Sequence, residues 1–198
     1  LGSTEDVWGA LFAQAGERYQ PPVLNVFSGS VQSACGFASA ASGPFYCPRD
    51  RDVYLDTSFF DELARMGGAG DFAAAYVIGH EVGHHVQTLL GTSDQVRAAQ
   101  QRANEAGANR LQVAMELQAD CFAGVWAYHA NQTVRVLEPG DVEEGLAAAQ
   151  AIGDDRLQRN AGRAVTPDSF THGSSADRQR WLSTGLRRGD PGACDTFN

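Results

Sequence analysis

The residues best placed to do chemistry are His80-Glu81-Val82-Gly83-His84, an HExxH run. On a helix, a spacing of four turns about 400° and rises about 6 Å, so His80 and His84 stand one above the other and can aim ring nitrogens at a single ion. Glu81 is offset by about 100°. There its carboxylate is no ligand but can take a proton from a water that zinc has acidified. Two histidines do not complete a catalytic zinc site, which takes three protein ligands and an open position. A metzincin would place a third His after a Gly three residues past His84, but that position is Gln87 and no His follows in range. Glu116 and Asp120, again four apart, supply the alternative: Glu116 as third metal ligand, and Asp120 as acceptor for the remote ring nitrogen of a ligand His. The expected cofactor is one Zn2+ per chain.

The other histidines sort by angle. His85 and His129 face away from the ligand positions. His172 sits in the loop Thr171-His172-Gly173-Ser174, whose small neighbours allow it to approach another surface. It is a candidate catalytic residue, donating to the oxyanion of a tetrahedral intermediate; the bland reading is a local hydrogen-bonding group.

These residues need helices to carry them. Phe72-Ala73-Ala74-Ala75-Tyr76-Val77-Ile78 makes the first half of the HExxH helix apolar nearly all round, the mark of a buried central element. Two His and a Glu buried there cost several kcal/mol unless paired or metal-bound. Gly79 and Gly83 each cost about 1 kcal/mol relative to Ala, compensated by close approach of a neighbour or substrate. This helix is expected over 71–90 and the helix of Glu116 and Asp120 over 109–130. Further helices are expected over 3–19, from the cluster 56–58 to Gly67-Gly68, over 93–105, over 141–152, and over 176–187 with Ser174 or Ser175 as cap. Short β-branched or aromatic runs at 23–27, 31–35, 45–47 and 53–55 predict a small, mostly antiparallel sheet. The fold class is therefore α+β, one domain over 1–198, with a helix-plus-sheet part at 1–56 and a helical part at 57–198.

Composition narrows the partners. With 198 residues, 43% apolar and 20% charged, the chain can bury a substantial core. A net charge of -9 argues against nucleic acid and anionic membrane surfaces. No apolar run approaches the ~20 residues of a spanning helix, although an upstream anchor outside this sequence is compatible with a first residue that is Leu. Cys35, Cys47, Cys121 and Cys194 form no CxxC pair and read as disulfide cysteines. Cys35 and Cys47 bracket a small-residue turn region that could close as a hairpin, worth about 3 kcal/mol if bridged. Cys121 lies in a helix, and a bridge at Cys194 would tie down the end of the chain. Disulfides favour an extracytoplasmic location.

The runs His80-Glu81-Val82-Gly83-His84-His85-Val86-Gln87 and Glu116-Leu117-Gln118-Ala119-Asp120-Cys121-Phe122-Ala123-Gly124-Val125-Trp126 resemble the bacterial putative neutral zinc metallopeptidases. So do Cys35-Gly36, Ser42 to Pro48, Ser169 to Ser175 and Cys194-Asp195-Thr196-Phe197, which extends the resemblance over nearly the whole chain. It implies a gluzincin-like site with His80, His84 and Glu116 as ligands and Glu81 as general base. It also implies a domain that follows a membrane-spanning segment. The function expected is a zinc-dependent endopeptidase acting on peptide or protein substrates outside the cytoplasm, with an edge strand near Phe45–Pro48 to hold the peptide. The alternatives are a non-catalytic zinc-stabilised binding module and a cell-wall peptide amidase using the same site.

Overall fold

The structure, a computed structural model, describes residues 1–39 and 42–198. Ala40 and Ala41, in the small-residue stretch between Cys35 and Cys47, lie outside the described residues.

Helix α1 spans Gly2–Gln14. It stops short of Tyr19 because Gly16 takes a left-handed conformation, φ 78°, that breaks the ladder. Tyr19 fits the helical spacing for another reason: its ring packs from the following loop on Phe12 and on His85.

Among the described residues five short strands follow: β1 Leu24–Phe27, β2 Ser30–Ser33, β3 Gly36–Ser39, β4 Phe45–Cys47 and β5 Asp52–Asp56. They form two sheets rather than one. In the larger, ordered β1-β5-β4, β5 runs antiparallel to β4 and parallel to β1, with Leu24 opposite Val53 and Phe45 opposite Tyr54. Strands β2 and β3 make a separate antiparallel hairpin. Cys35 sits in its turn, and a disulfide to Cys47, Cα atoms 5.8 Å apart, pins the hairpin to the end of β4. The bridge therefore joins the two sheets instead of closing one hairpin.

The rest is helical: α2 Phe59–Arg65, α3 Asp71–Leu89, α4 Thr92–Gln100, α5 Glu105–Val134, α6 Asp141–Ala151, α7 Asp154–Asn160 and α8 Ser175–Arg188. The side chain of Asn104 caps α5 and that of Ser174 caps α8, each accepting from the backbone N–H three residues on. The helix α7, with its polar sequence DDRLQRN, was not expected from periodicity. Among the described residues no helix is long and apolar enough to cross a membrane.

Helices α3 and α5 form the centre and lie antiparallel, since residues 79 and 83 of α3 meet 123 and 119 of α5. Glycine makes that approach possible. A Cβ on Gly83 would stand 2.9 Å from the Ala119 carbonyl oxygen, and one on Gly79 would stand 2.9 Å from the Trp126 ring. Around this pair, Trp8 of α1 packs edge-on against Phe122, while Val53 of β5, Val82, Val86 and Val125 complete a buried core. Fully buried, these side chains contribute roughly 1.5–3 kcal/mol each. A second disulfide links Cys121 of α5 to Cys194, Cα atoms 5.6 Å apart, and fastens the end of the chain to the central helix.

Candidate active site

Both central helices present their polar face to the same place. Nε2 of His80 lies 3.2 Å from Glu116 Oε2, and Nε2 of His84 lies 3.5 Å from Glu116 Oε1. The three donor atoms fall within 4.8 Å of one another. All three side chains are mostly buried.

The remote ring nitrogens decide what those Nε2 atoms carry. Nδ1 of His80 is 2.7 Å from Asp120 Oδ1, an acceptor, so a neutral ring holds its proton there. Nδ1 of His84 donates in the same way to Gln87 Oε1 at 2.9 Å. With both rings neutral, each Nε2 directs a lone pair toward the Glu116 carboxylate, and three electron-pair donors converge. Such a set fits a cation, and two imidazoles with one carboxylate suit zinc. Charge agrees: Glu81, Glu116 and Asp120 against Arg178 leave two negative charges when ionised, which a divalent ion balances. Burial pushes the imidazoles down, but Asp120 at His80 and Glu116 at His84 outweigh it and hold both above the usual histidine value. Burial likewise pushes Glu116 up, and the two histidines more than reverse it.

Asp120 is fully buried and anchored on every side. Arg178 of α8, itself 2% exposed, donates to it through Nε and Nη2, each at 2.9 Å, and Tyr76 donates its hydroxyl at 2.6 Å. Burial raises the carboxyl of Asp120, and the Arg178 charge, with His80, brings it back below the ordinary range. Sequence reading missed Tyr76, Gln87, Gln112 and Arg178. Three of them lay within its reach: Tyr76 stands four residues before His80, Gln87 three after His84, and Gln112, which donates to Glu116 Oε1 at 3.1 Å, four before Glu116. Arg178 had no local signal.

Glu81 is 8% exposed and faces the same space without being one of the three converging donors. Burial raises its carboxyl above the usual value, against the lowering pull of His80 and His84. The space is a cavity of about 640 Å³. The strand β4 contributes Phe45 and Tyr46 to its wall, α2 and its C-terminal end contribute Phe59 and Met66, the end of α6 and α7 contribute Ile152 and Leu157, and α4 contributes Ser93 and Arg97. His172 also lines it. Asp154 holds that loop, accepting from the amides of Thr171, His172 and Gly173 at 2.8, 2.6 and 2.9 Å and from His172 Nδ1 at 3.2 Å. The other histidines stand elsewhere: His85 contacts Tyr46 and the Gln20 carbonyl, and His129 contacts the Gly189 carbonyl.

Comparison with known proteins extends the resemblance. YpfJ of Escherichia coli K12 is 54% identical over 198 residues, covering the whole of this chain and 69% of that protein. Rv2575 of Mycobacterium tuberculosis H37Rv is 44% identical over 207 aligned residues, covering 99% of this chain and 68% of its own length. Both are described as uncharacterized proteins. No solved structure matches the chain. One family model, described as putative neutral zinc metallopeptidase, matches residues 1–197, and the chain belongs to that family.

Proposed function

We propose that the chain is a zinc-dependent endopeptidase in which His80, His84 and Glu116 hold the metal and Glu81 is the general base. Zinc held by that donor set supplies a Lewis acid that polarises a scissile carbonyl and makes water acidic enough to deprotonate near neutral pH. Glu81 accepts the proton of the attacking water on its carboxylate and hands it to the leaving nitrogen as the C–N bond breaks. Asp120 and Gln87 keep the two histidines in the tautomer that leaves Nε2 free. His172, its Nδ1 held by Asp154, donates from Nε2 to the carbonyl oxygen as negative charge grows there in its imidazolium form, with both ring nitrogens carrying protons. Among the described residues β4 is an outer strand of its sheet, which supports backbone pairing with an extended substrate. Two disulfides support a site of action outside the cytoplasm.

One observation carries this reading: a buried carboxylate, Glu81, that is not a metal ligand yet opens on a cavity large enough for a peptide. A zinc module that only binds or stabilises has no use for it. The test is a mixed peptide library offered to zinc-loaded wild type and to Glu81→Gln, with zinc content measured in both. Cleavage should fall at least about a hundredfold in the variant while zinc stays bound. Zinc-loaded wild type that cleaves no peptide would put the binding-module or cell-wall amidase reading first.

A further inference from the structure

The two metal-binding histidines are supported in different ways. His80 leans on a carboxylate clamped by Arg178. His84 leans on an amide, Gln87, which is completely buried and carries no charge. An amide can present either its oxygen or its NH2, so something must fix which end meets the histidine. Gln87 Nε2 donates to the Met115 carbonyl at 2.8 Å and to Gln118 Oε1 at 3.0 Å. Gln118 Nε2 donates in turn to the carbonyl of Cys194 at 3.0 Å. Backbone carbonyls only accept. Met115 O and Cys194 O therefore set the polarity of both amides, and that polarity passes to His84: Gln87 must offer Oε1, Nδ1 must carry a proton, and in the neutral ring it is Nε2 that carries the lone pair.

The far end of this chain of bonds is held covalently. Cys194 is 1% exposed and is joined to Cys121, which lies five residues after Glu116 on α5, and Thr196 donates its hydroxyl to the Ala114 carbonyl at 2.6 Å. We propose that Gln118 and the Cys121–Cys194 disulfide are positioning elements of the metal centre, fixing Gln87 and through it the ring of His84, so that zinc affinity depends on a bond made at residue 194. The inference rests on the zinc reading above. Its subject is how tightly the metal is held, separate from whether peptides are cut.

Zinc affinity, measured by competition with a chromophoric chelator, tests it without any activity assay. Gln118→Leu should bind zinc about tenfold more weakly or worse, the scale expected when a partner behind a ligand is removed. Gln87→Leu, one step closer to the metal, should lose at least as much. The paired variant Cys121→Ala/Cys194→Ala should also lose about tenfold or more. The control is Cys35→Ala/Cys47→Ala, which removes a disulfide that takes no part in the Gln118–Gln87 relay to the His84 ring; its melting temperature should fall while its zinc affinity stays within about twofold. Wild-type affinity in Gln118→Leu would overturn the proposal, as would equal losses in the two disulfide variants, which would indicate general loosening. A wild type that binds no zinc would instead sink the metal reading itself.

Discussion

Replacing Arg178 with Met should destabilise the metal-free protein by about 3 kcal/mol, for reasons that can be counted. Asp120 receives four donors: Tyr76 Oη, His80 Nδ1, and Nε and Nη2 of Arg178. The substitution keeps much of the side chain's packing and removes two of the four together with the guanidinium charge that faces Asp120. Breaking a buried ion pair by deleting one partner costs about 3–5 kcal/mol, because the other charge stays buried. The lower end applies here because Tyr76 and His80 still donate. In a chain of this size 1 kcal/mol moves the melting temperature by about 2–4 °C, so the midpoint should drop by roughly 6–12 °C. Calorimetry at neutral pH with excess chelator isolates the effect from metal binding. The double variant Arg178→Met/Asp120→Asn removes both charges and should recover most of the loss, although its zinc affinity should remain about 10–100-fold down because His80 has lost its carboxylate. A single variant that melts within roughly 2 °C of wild type would refute the reasoning, and so would a double variant no more stable than the single one.

Other outcomes follow from the same geometry. Stripping zinc present at about 100 times its dissociation constant should remove about 2.7 kcal/mol and lower the melting temperature by roughly 5–11 °C; an unchanged midpoint would mean that no metal is bound to the fold. Gly83→Ala should cost about 1–3 kcal/mol by forcing α3 from the Ala119 backbone, measured by denaturant unfolding, and a neutral result would contradict the close approach. Asp154→Ala should accelerate amide exchange at Thr171, His172 and Gly173, whose N–H groups it now accepts, and unchanged protection would show the loop to be held otherwise. Burial pushes the Asp154 carboxyl up, but the side chain and amide of His172 more than reverse this and leave it below the ordinary range. Its stabilisation is therefore complete above the unfolded value of about 3.9 and lost as pH falls through the depressed folded value. Wild type should lose more stability than Asp154→Asn as pH drops from about 5 toward 3.

Much of the site was legible because its parts are local. HExxH and ExxxD each place two groups on one helical face by spacing alone, and the glycines at 79 and 83 announced a close neighbour before α5 was in view. Arg178 was not legible because it is one of two arginines in the polar stretch Ala176-Asp177-Arg178-Gln179-Arg180. Its burial depends on packing against Asp120, 58 residues earlier. Strand pairing failed for a similar reason. Turn signals between neighbouring runs favour hairpins, whereas the parallel partner of β1 is β5, reached only after three intervening strands. The ends of helices slipped where a single glycine, such as Gly16, or a single cap, such as Asn104, overrode a longer apolar pattern.

An open sheet edge beside a cleft is equally open to the matching edge of another copy, and proteins that expose one must limit self-association. Strand β4 is three residues long and lies between Pro44 and Pro48, neither of which has an N–H to donate. A ladder begun there by a second molecule runs out almost at once, too short to nucleate a growing stack. Under the peptidase reading, a peptide in the cleft would need no more than those few bonds, since the cavity walls are there to meet the rest of it. Brevity at this edge would limit strand addition by a second copy while still allowing a few backbone bonds to a short peptide.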